Sequence, residues 1–183
     1  MPVMISLLRA INVGGRNSLP MSTLKAIYAE LGFDKTQTLL QSGNAVFIAK
    51  KSSPDKVAQR IEAAVEAKCG FRPRVLVRTL DELRDAVRAS PFTKYAQSAP
   101  DKLLVYFLEH APAKDALAKL RALHDGPEEL ALHGRALYVY FPMGAGKSKL
   151  TAARMDKGLG TIGTARNWTT LGKLISLAER IEA

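Results

Sequence analysis

The sequence has few residues for disulfide, metal or membrane chemistry. Its single cysteine, Cys69, excludes a disulfide bond within the chain, which fits a reducing cytosol. Its three histidines lack metal-ligand spacing, so we predict neither a metal nor another cofactor. No apolar run approaches the roughly 20 residues of a membrane span, and the N-terminus does not resemble a secretion signal. We therefore predict a cytoplasmic protein without a membrane segment.

Acidic residues are also scarce. The chain carries 17 Asp and Glu against 27 Lys and Arg, a formal net charge of +10. An excess of this size favours acidic partners, such as nucleic acid, phosphorylated molecules or an anionic surface. Net charge does not reveal where the cations cluster, so a protein with an evenly basic surface fits equally well.

The apolar spacing in the first half predicts the order βαββαβ. Strands are expected at 4–11, 36–41, 45–49 and 74–78, and helices at 20–31, 54–69 and 81–89. Ser53 and Pro54 form a typical helix start, and Gly70 a typical stop. The first six elements have the order of a ferredoxin-like, split βαβ unit.

The second half has a similar pattern with no evident closing strand. Strands are predicted at 103–108, 129–132 and 136–141, and helices at 114–123, 148–157 and 165–181. Residues 158–163 are a loop or a short added strand, and the polar residues 95–100 are a linker. We therefore predict an α+β fold of two ferredoxin-like (split βαβ) halves packed together, with domains at 1–94 and 95–183.

Three short tracts combine small residues with amide or guanidinium side chains: 12–17, 41–44 and 164–168. Such tracts expose donors in turns, which suits anions or polar ligands. Each also has a structural interpretation, as a strand-to-helix loop, a hairpin turn and a helix start capped by Thr164. The first two are expected at opposite ends of a split βαβ sheet. Arg166 near a helix N-terminus is unfavourable, so we expect a carboxylate or an anionic ligand beside it.

The segment Gly146-Lys147-Ser148 resembles the end of a phosphate-binding loop. Phe141 occupies the position where that loop requires its first glycine, so a nucleoside-triphosphatase is not favoured. Backbone amides at a helix beginning at Ser148, together with Lys147 and Lys149, could still hold an anion. The alternative is a hairpin exit and a helix cap with solvated lysines. Glu128 and Glu129 are expected to be a solvated edge.

Strand alternation places Tyr106 on one face of its strand and both Tyr138 and Tyr140 on one face of theirs. If these strands are neighbours with matching orientation, the three tyrosines form one patch on which nucleic-acid bases could stack. The alternative is that they pack in the core with their hydroxyl groups at its rim.

Several blocks in order along the chain resemble one known family. They are 8–17, 19–21, 41–47, Pro91-Phe92, 146–150 and 164–168. The sequence resembles the bacterial family called domain of unknown function 1697. The resemblance implies an α+β fold of two related ferredoxin-like halves, and it implies no activity.

Three functional hypotheses follow. The first is binding of an anionic partner, nucleic acid or a nucleotide, through the basic side chains and the tyrosines. The second is an enzyme acting on a phosphorylated or carboxylated small molecule, and the third is a purely structural domain. No catalytic residue and no oligomeric state can be assigned. The candidate ligand-binding residues are Arg9, Asn12, Gly14, Gly15, Arg16, Asn17, Gln41, Ser42, Asn44, Lys147, Ser148, Lys149, Arg166 and Asn167.

Overall fold

The computed structural model describes residues 2–50 and 52–183. Within these residues it has two four-stranded antiparallel sheets and seven α-helices. The strands are β1 (Val3–Leu8), β2 (Asp34–Leu39), β3 (Asn44–Ile48), β4 (Val75–Thr79), β5 (Leu103–Leu108), β6 (Glu129–His133), β7 (Ala136–Tyr140) and β8 (Gly163–Asn167). The helices are α1 (Met21–Glu30), α2 (Pro54–Cys69), α3 (Leu80–Arg88), α4 (Thr93–Ser98), α5 (Ala116–Leu123), α6 (Ala152–Leu159) and α7 (Trp168–Glu182). None of the described helices is both long and apolar enough to span a lipid bilayer.

The chain divides into two compact units. One contains the residues up to Arg84 together with Lys173–Ala183, and the other is Asp85–Gly172. The predicted domains are 1–94 and 95–183; in the structure the end of α7 groups with the first unit. There Lys35 Nζ donates to the carbonyl of Ile181 at 3.2 Å.

The sheet of the first unit has the order β2-β3-β1-β4. One face is covered by α1 and α2, whose apolar side chains recur at helical spacing. Tyr28 is fully buried at the centre of this core, with Phe33 and Phe47 in edge contact with its ring. Its hydroxyl group lies 2.7 Å from Ser6 Oγ, which satisfies both buried groups. The start and end signals of α2 are confirmed, since Ser53 Oγ accepts from the Lys56 amide and Gly70 has φ 76°.

The sheet of the second unit repeats this arrangement with the order β6-β7-β5-β8. Its covered face carries Tyr106, Leu137 and Val139, which pack in a core with Leu120 of α5 and Met155 of α6. The two sheets also share individual main-chain hydrogen bonds at equivalent strand ends. The amides of Leu8 and Arg9 donate to Gly43 and Arg74, and those of Leu108 and Glu109 donate to Arg135 and Ile162, all at 2.9 Å.

The strand β8 corrects the predicted helix at 165–181. Residues 163–167 pair with β5, so the second sheet does have a closing strand, and α7 begins at Trp168. Thr164 is therefore not the helix cap. That role belongs to Asn167, whose Oδ1 accepts from the Thr170 amide at 2.8 Å. Thr79 caps α3 in the same way, accepting from the Glu82 amide at 3.2 Å. In both units a strand continues directly into a helix that its last residue caps.

Two other expected boundaries are wrong. The predicted linker at 95–100 lies in α4 and a following 3-10 turn, where the Ala96 amide bonds to the Phe92 carbonyl at 2.9 Å. The helix expected from Ser148 begins only at Ala152, because Thr151 Oγ1 caps it by accepting from the Arg154 amide at 3.3 Å. Ser148 consequently lies in a loop.

Candidate functional site

The tract at 12–17 forms a small hairpin, which we call the Gly-Gly finger. The Arg16 amide donates to the Val13 carbonyl at 3.1 Å, and Gly14 and Gly15 have φ of 58° and 73°. Two successive positive φ values characterise a two-residue type I′ hairpin turn. The tip is exposed, and the Val13 side chain is 65% exposed. The glycines thus have a turn role that requires no ligand.

The asparagines of the finger bond to the main chain around them. Asn12 Nδ2 donates to the carbonyls of Leu19 and Gln41 at 2.9 and 2.8 Å, and its Oδ1 accepts from the Leu19 amide at 2.8 Å. Asn17 Nδ2 donates to the Ala10 carbonyl at 3.1 Å. These amides hold the loop together, which favours the structural interpretation of Asn12 and Asn17.

The finger and the turn at 41–44 lie at the same end of the sheet, which corrects the expectation of opposite ends. The strands β1 and β3 are antiparallel neighbours, so the end of β1 lies beside the start of β3. The main chain joins them where the Leu8 amide donates to Gly43. Asn44 is fully buried, and its Nδ2 donates to the Leu39 carbonyl and Ser42 Oγ at 3.0 and 2.9 Å. Tertiary structure therefore joins two tracts that the sequence keeps apart, through bonds within the protein.

Arg166 lies in a strand instead of at a helix start. Burial lowers the pKa of its guanidinium group to about 10. Its Nη1 donates to Thr164 Oγ1 at 2.9 Å and to the Ala165 carbonyl at 2.7 Å. We predicted an anionic partner because a cation at a helix N-terminus is unfavourable. Arg166 does not lie at that position, since it belongs to β8 and Asn167 caps α7.

The three tyrosines do not form one patch. Val105 lies opposite Tyr138, and Tyr106 lies opposite Leu137. Residues directly opposite each other share a face, so Tyr106 faces away from Tyr138 and Tyr140. The predicted stacking surface is wrong because it assumed a register that only the folded sheet defines.

Each tyrosine has a partner within the second unit. The Tyr106 hydroxyl donates to Asp156 Oδ1 at 2.6 Å, and the Tyr138 hydroxyl donates to the Ala86 carbonyl at 2.7 Å. Burial raises the pKa of Tyr138 to about 12. Tyr140 stacks on Tyr95 with ring centroids 3.6 Å apart. None of these rings offers an open face shared with the other two.

A pocket of about 350 Å³ lies beside the Gly-Lys-Ser segment, and we call it the Ser148 pocket. It is lined by the loop 124–128, by Met143 and by residues 147–149. All of these residues belong to the second unit. Of the predicted ligand-binding residues, the structure brings Lys147, Ser148 and Lys149 together here. The sequence prediction missed the loop 124–128 and Met143, which also line the pocket.

A buried polar network forms one wall of the Ser148 pocket. His124 Nε2 bonds to Glu128 Oε2, and the Ser148 hydroxyl donates to Glu128 Oε1. The Leu150 amide donates to Ser148 Oγ at 2.9 Å. The side chains of His124 and Glu128 are only 4% and 5% exposed, so Glu128 is not the solvated edge that we predicted. Within the described residues, His124 Nδ1 is buried without a hydrogen-bond partner.

Two features define what this network can do. Burial alone would raise the pKa of Glu128, but the hydrogen bonds from Ser148 and His124 outweigh it and hold the pKa below its ordinary value. A carboxylate with a lowered pKa is a weak base, so it is poorly suited to activate Ser148 as a nucleophile.

The main chain at Gly126 packs directly against His124 and Glu128. A Cβ at Gly126 would overlap Glu128 Oε2 and His124 Nε2. The Glu128 carboxylate is therefore buried beneath the main chain, with both of its oxygens bonded within the protein.

A run of unpaired cations continues from the pocket along α6. Lys147, Lys149, Arg154 and Lys157 are exposed, and none forms an ion pair with a residue that the structure describes. We call residues 147–157 the basic segment. Its one acidic residue, Asp156, accepts from Tyr106 and from the Gly163 amide at 3.3 Å.

A second pocket of about 250 Å³ lies at the far end of the basic segment, where Lys119, Lys157 and residues 158–161 contribute to its lining. Lys119 already has a partner, Asp115 Oδ2 at 2.9 Å. In the part of the chain that the structure covers, no three His, Cys, Asp or Glu side chains gather as a metal site.

Comparison with known proteins agrees with the sequence resemblance. The family described as "Protein of unknown function (DUF1697)" matches residues 1–138. Among solved structures, the chain is similar to the conserved bacterial protein SP0830 from Streptococcus pneumoniae, with a TM-score of 0.74 and 20% identity over 97% of this chain and 98% of that one. This likeness concerns the fold alone. No curated protein matches the sequence.

Proposed function

We propose that this chain, which belongs to the DUF1697 family, binds a phosphate-bearing partner along the basic segment. The observation that supports this proposal is the group of four exposed, unpaired cations among eleven consecutive residues. Some cations elsewhere pair with carboxylates, as Arg72 does with Glu66 at 2.8 Å and Arg84 with Glu179 at 3.0 Å, whereas the basic segment has four within eleven residues without such a partner in the described part of the chain. A cation without such a partner keeps its full charge available to a phosphate group.

Single-stranded nucleic acid is the partner that we propose. Its backbone carries regularly spaced phosphates, and a basic groove or stripe is the usual means of following them. The helix α6 extends about 12 Å, which suits several phosphates better than one. The formal charge of +10 adds long-range attraction for such a strand. Stacking on Tyr106, Tyr138 and Tyr140 is not part of this proposal, and the contacts are electrostatic.

The experiment compares salt dependence in two charge-reversal variants. Phosphate contacts with single strands contribute about −0.7 each to the slope of log K against log salt, so four cations contribute about −2.8. We expect Arg154→Glu with Lys157→Glu to reduce the slope by about 1.4 in magnitude. Fluorescence anisotropy with a labelled single-stranded RNA of about ten residues, from about 50 to about 200 mM salt, measures it.

The matched control carries Lys25→Glu with Lys56→Glu. Both lysines are exposed on helices, and neither forms an ion pair with a described residue. The control changes the net charge equally, so general attraction falls equally in both proteins. Equal slopes in the two variants would assign the binding to net charge and contradict a role for the basic segment. A wild-type protein that binds no RNA at low salt would contradict the proposal itself.

We also propose that each sheet with its helices is a ferredoxin-like, split βαβ unit. The strand orders β2-β3-β1-β4 and β6-β7-β5-β8 support this assignment. In each sheet the first strand of a βαββαβ sequence lies between the third and the fourth. In the second unit, β8 supplies the sixth element that the sequence pattern lacked. This fold is found with many unrelated functions, so the proposal of binding depends on the basic segment alone.

A further inference from the structure

We infer that the second pocket, at the far end of the basic segment, binds a phosphate monoester, the group that ends a phosphorylated strand. This inference depends on the proposed function and deepens it, because it states where the strand ends. Lys157 belongs both to the basic segment and to the lining of this pocket. The volume of about 250 Å³ is below the range of sites for drug-sized molecules, so the pocket suits one small group.

Three polar side chains in the lining of this pocket can donate hydrogen bonds to a ligand. The Lys157 ammonium group and the His110 ring bond to no side chain or main-chain group within the described residues. The Thr161 hydroxyl accepts from the His110 amide at 3.2 Å, which leaves its own proton to donate. An ammonium, an imidazole and a hydroxyl group are therefore available to the acceptor oxygens of one ligand.

Lys119 adds a second ammonium group to the lining, to which its partner Asp115 also belongs. Lys119 holds the pKa of Asp115 below its ordinary value, so the carboxylate is ionised at neutral pH. The two side chains are 64% and 60% exposed, and an exposed ion pair of this kind stabilises little. A phosphate monoester carries about −1.5 to −2 charges, so it competes well with Asp115 for Lys119.

The main chain of the pocket is fixed by hydrogen bonds between the two loops that form it. The Glu109 amide donates to the Ile162 carbonyl at 2.9 Å, and the His110 amide donates to Thr161 Oγ1. These bonds join the residues that follow β5 to the residues that precede β8. The pocket therefore exists before a ligand arrives, and binding does not have to order its loops.

A terminal phosphate fits this pocket better than a phosphate within a strand. A monoester presents three acceptor oxygens on one side, which matches the donors of His110, Lys157 and Thr161. A phosphodiester presents two such oxygens and a single charge. It also continues into the strand in both directions, so it does not enter a pocket as an end group does. The exposed cations at 147–154 then follow the neighbouring phosphates of the strand.

Fluorescence anisotropy with three matched single-stranded RNAs tests the site. The RNAs share one sequence of about ten residues and an internal label, and they end in a 5′-phosphate, in a 3′-phosphate or in hydroxyl groups only. We expect one phosphorylated RNA to bind about tenfold more tightly than the hydroxyl-ended RNA, because charge-assisted hydrogen bonds are strong. The end that gives this gain defines the direction of the strand.

His110→Ala should reduce the gain to about threefold and leave the affinity for hydroxyl-ended RNA unchanged. The His110 side chain is exposed, and its amide bond to Thr161 remains in the variant. The matched control is His133→Ala, since His133 is exposed at the end of β6 and does not line this pocket. Thr161→Val removes a second donor and should also reduce the gain, while circular dichroism reports whether each variant folds.

Isothermal titration calorimetry with ribose 5-phosphate distinguishes a strand end from a free phosphate monoester. Binding of ribose 5-phosphate that His110→Ala weakens, without a gain for either phosphorylated RNA, supports the pocket and assigns it to a free molecule. If no RNA binds at all, the same result rejects the proposed function and retains the pocket. Salt-dependent RNA binding with no gain or equal gains at the two ends, and no binding of ribose 5-phosphate, would retain the proposed function and overturn this site. An equal effect of His133→Ala and His110→Ala would also overturn it.

Discussion

Gly43→Ala is expected to lower the free energy of unfolding by about 3 kcal/mol. Gly43 has φ 74°, where an L-residue costs about 1–2 kcal/mol. A Cβ there would lie 2.5 Å from Ile11 Cδ1 and 2.8 Å from Leu8 Cβ, which adds about 1–3 kcal/mol of overpacking. Urea unfolding followed by circular dichroism measures the sum.

Gly15→Ala separates the two contributions to this loss. Gly15 has nearly the same φ, 73°, but a Cβ there would meet no atom within 4 Å. We expect this variant to lose only the backbone cost of about 1–2 kcal/mol. Equal losses in the two variants would show that the turn at 41–44 does not pack tightly against β1 and Ile11, contrary to the structure.

Gly158→Ala is expected to cost about 2 kcal/mol and to weaken RNA binding. A Cβ at Gly158 would lie 2.7 Å from Leu120 Cδ1 and 2.8 Å from Leu120 Cα, so α5 and α6 would have to separate. Since His124 directly follows α5 and Lys157 lies in α6, the separation would alter both pockets. Urea unfolding and anisotropy with the same RNA measure the two effects.

Gly172→Ala is the matched control, because it is the same substitution within a helix. A Cβ at Gly172 would meet no atom within 4 Å. Alanine is the better helix former, so we expect this variant to gain up to about 1 kcal/mol. A loss at Gly172, or a gain at Gly158, would contradict the described packing of these helices.

Local signals explain what the sequence could predict. Helix α2 was predicted from Ser53, Pro54 and Gly70 because capping depends on residues within one turn of the helix end. The order of the first six elements follows from apolar periodicity in the same way. Strand β8 was missed because its residues, Gly163 to Asn167, show no alternation of apolar side chains. It forms through hydrogen bonds to β5, more than fifty residues away in sequence.

The candidate site was only half predictable for the same reason. Lys147, Ser148 and Lys149 attracted attention through their likeness to a phosphate loop, whereas His124 and Glu128 carry no local motif. Twenty residues separate Ser148 from Glu128, and only the fold brings them into contact. A possible signal was the i, i+4 spacing of His124 and Glu128 around Gly126, although short loops seldom keep such a pair buried.

The tyrosines show the limit of alternation as evidence. Alternation correctly separates the two faces of each strand, but the face that two strands share depends on their register. Val105 pairs with Tyr138, which places Tyr106 in the core on the other side. No property of the isolated strands fixes that pairing, so the predicted stacking patch depended on information that the sequence pattern does not contain.

Amide chemical-shift mapping with the single-stranded RNA locates the surface that binds it. We expect the largest shift changes in the basic segment at 147–157, and we expect them to decrease as salt is added. Changes confined to the Gly-Gly finger at 12–17, or no changes at low salt, would contradict it.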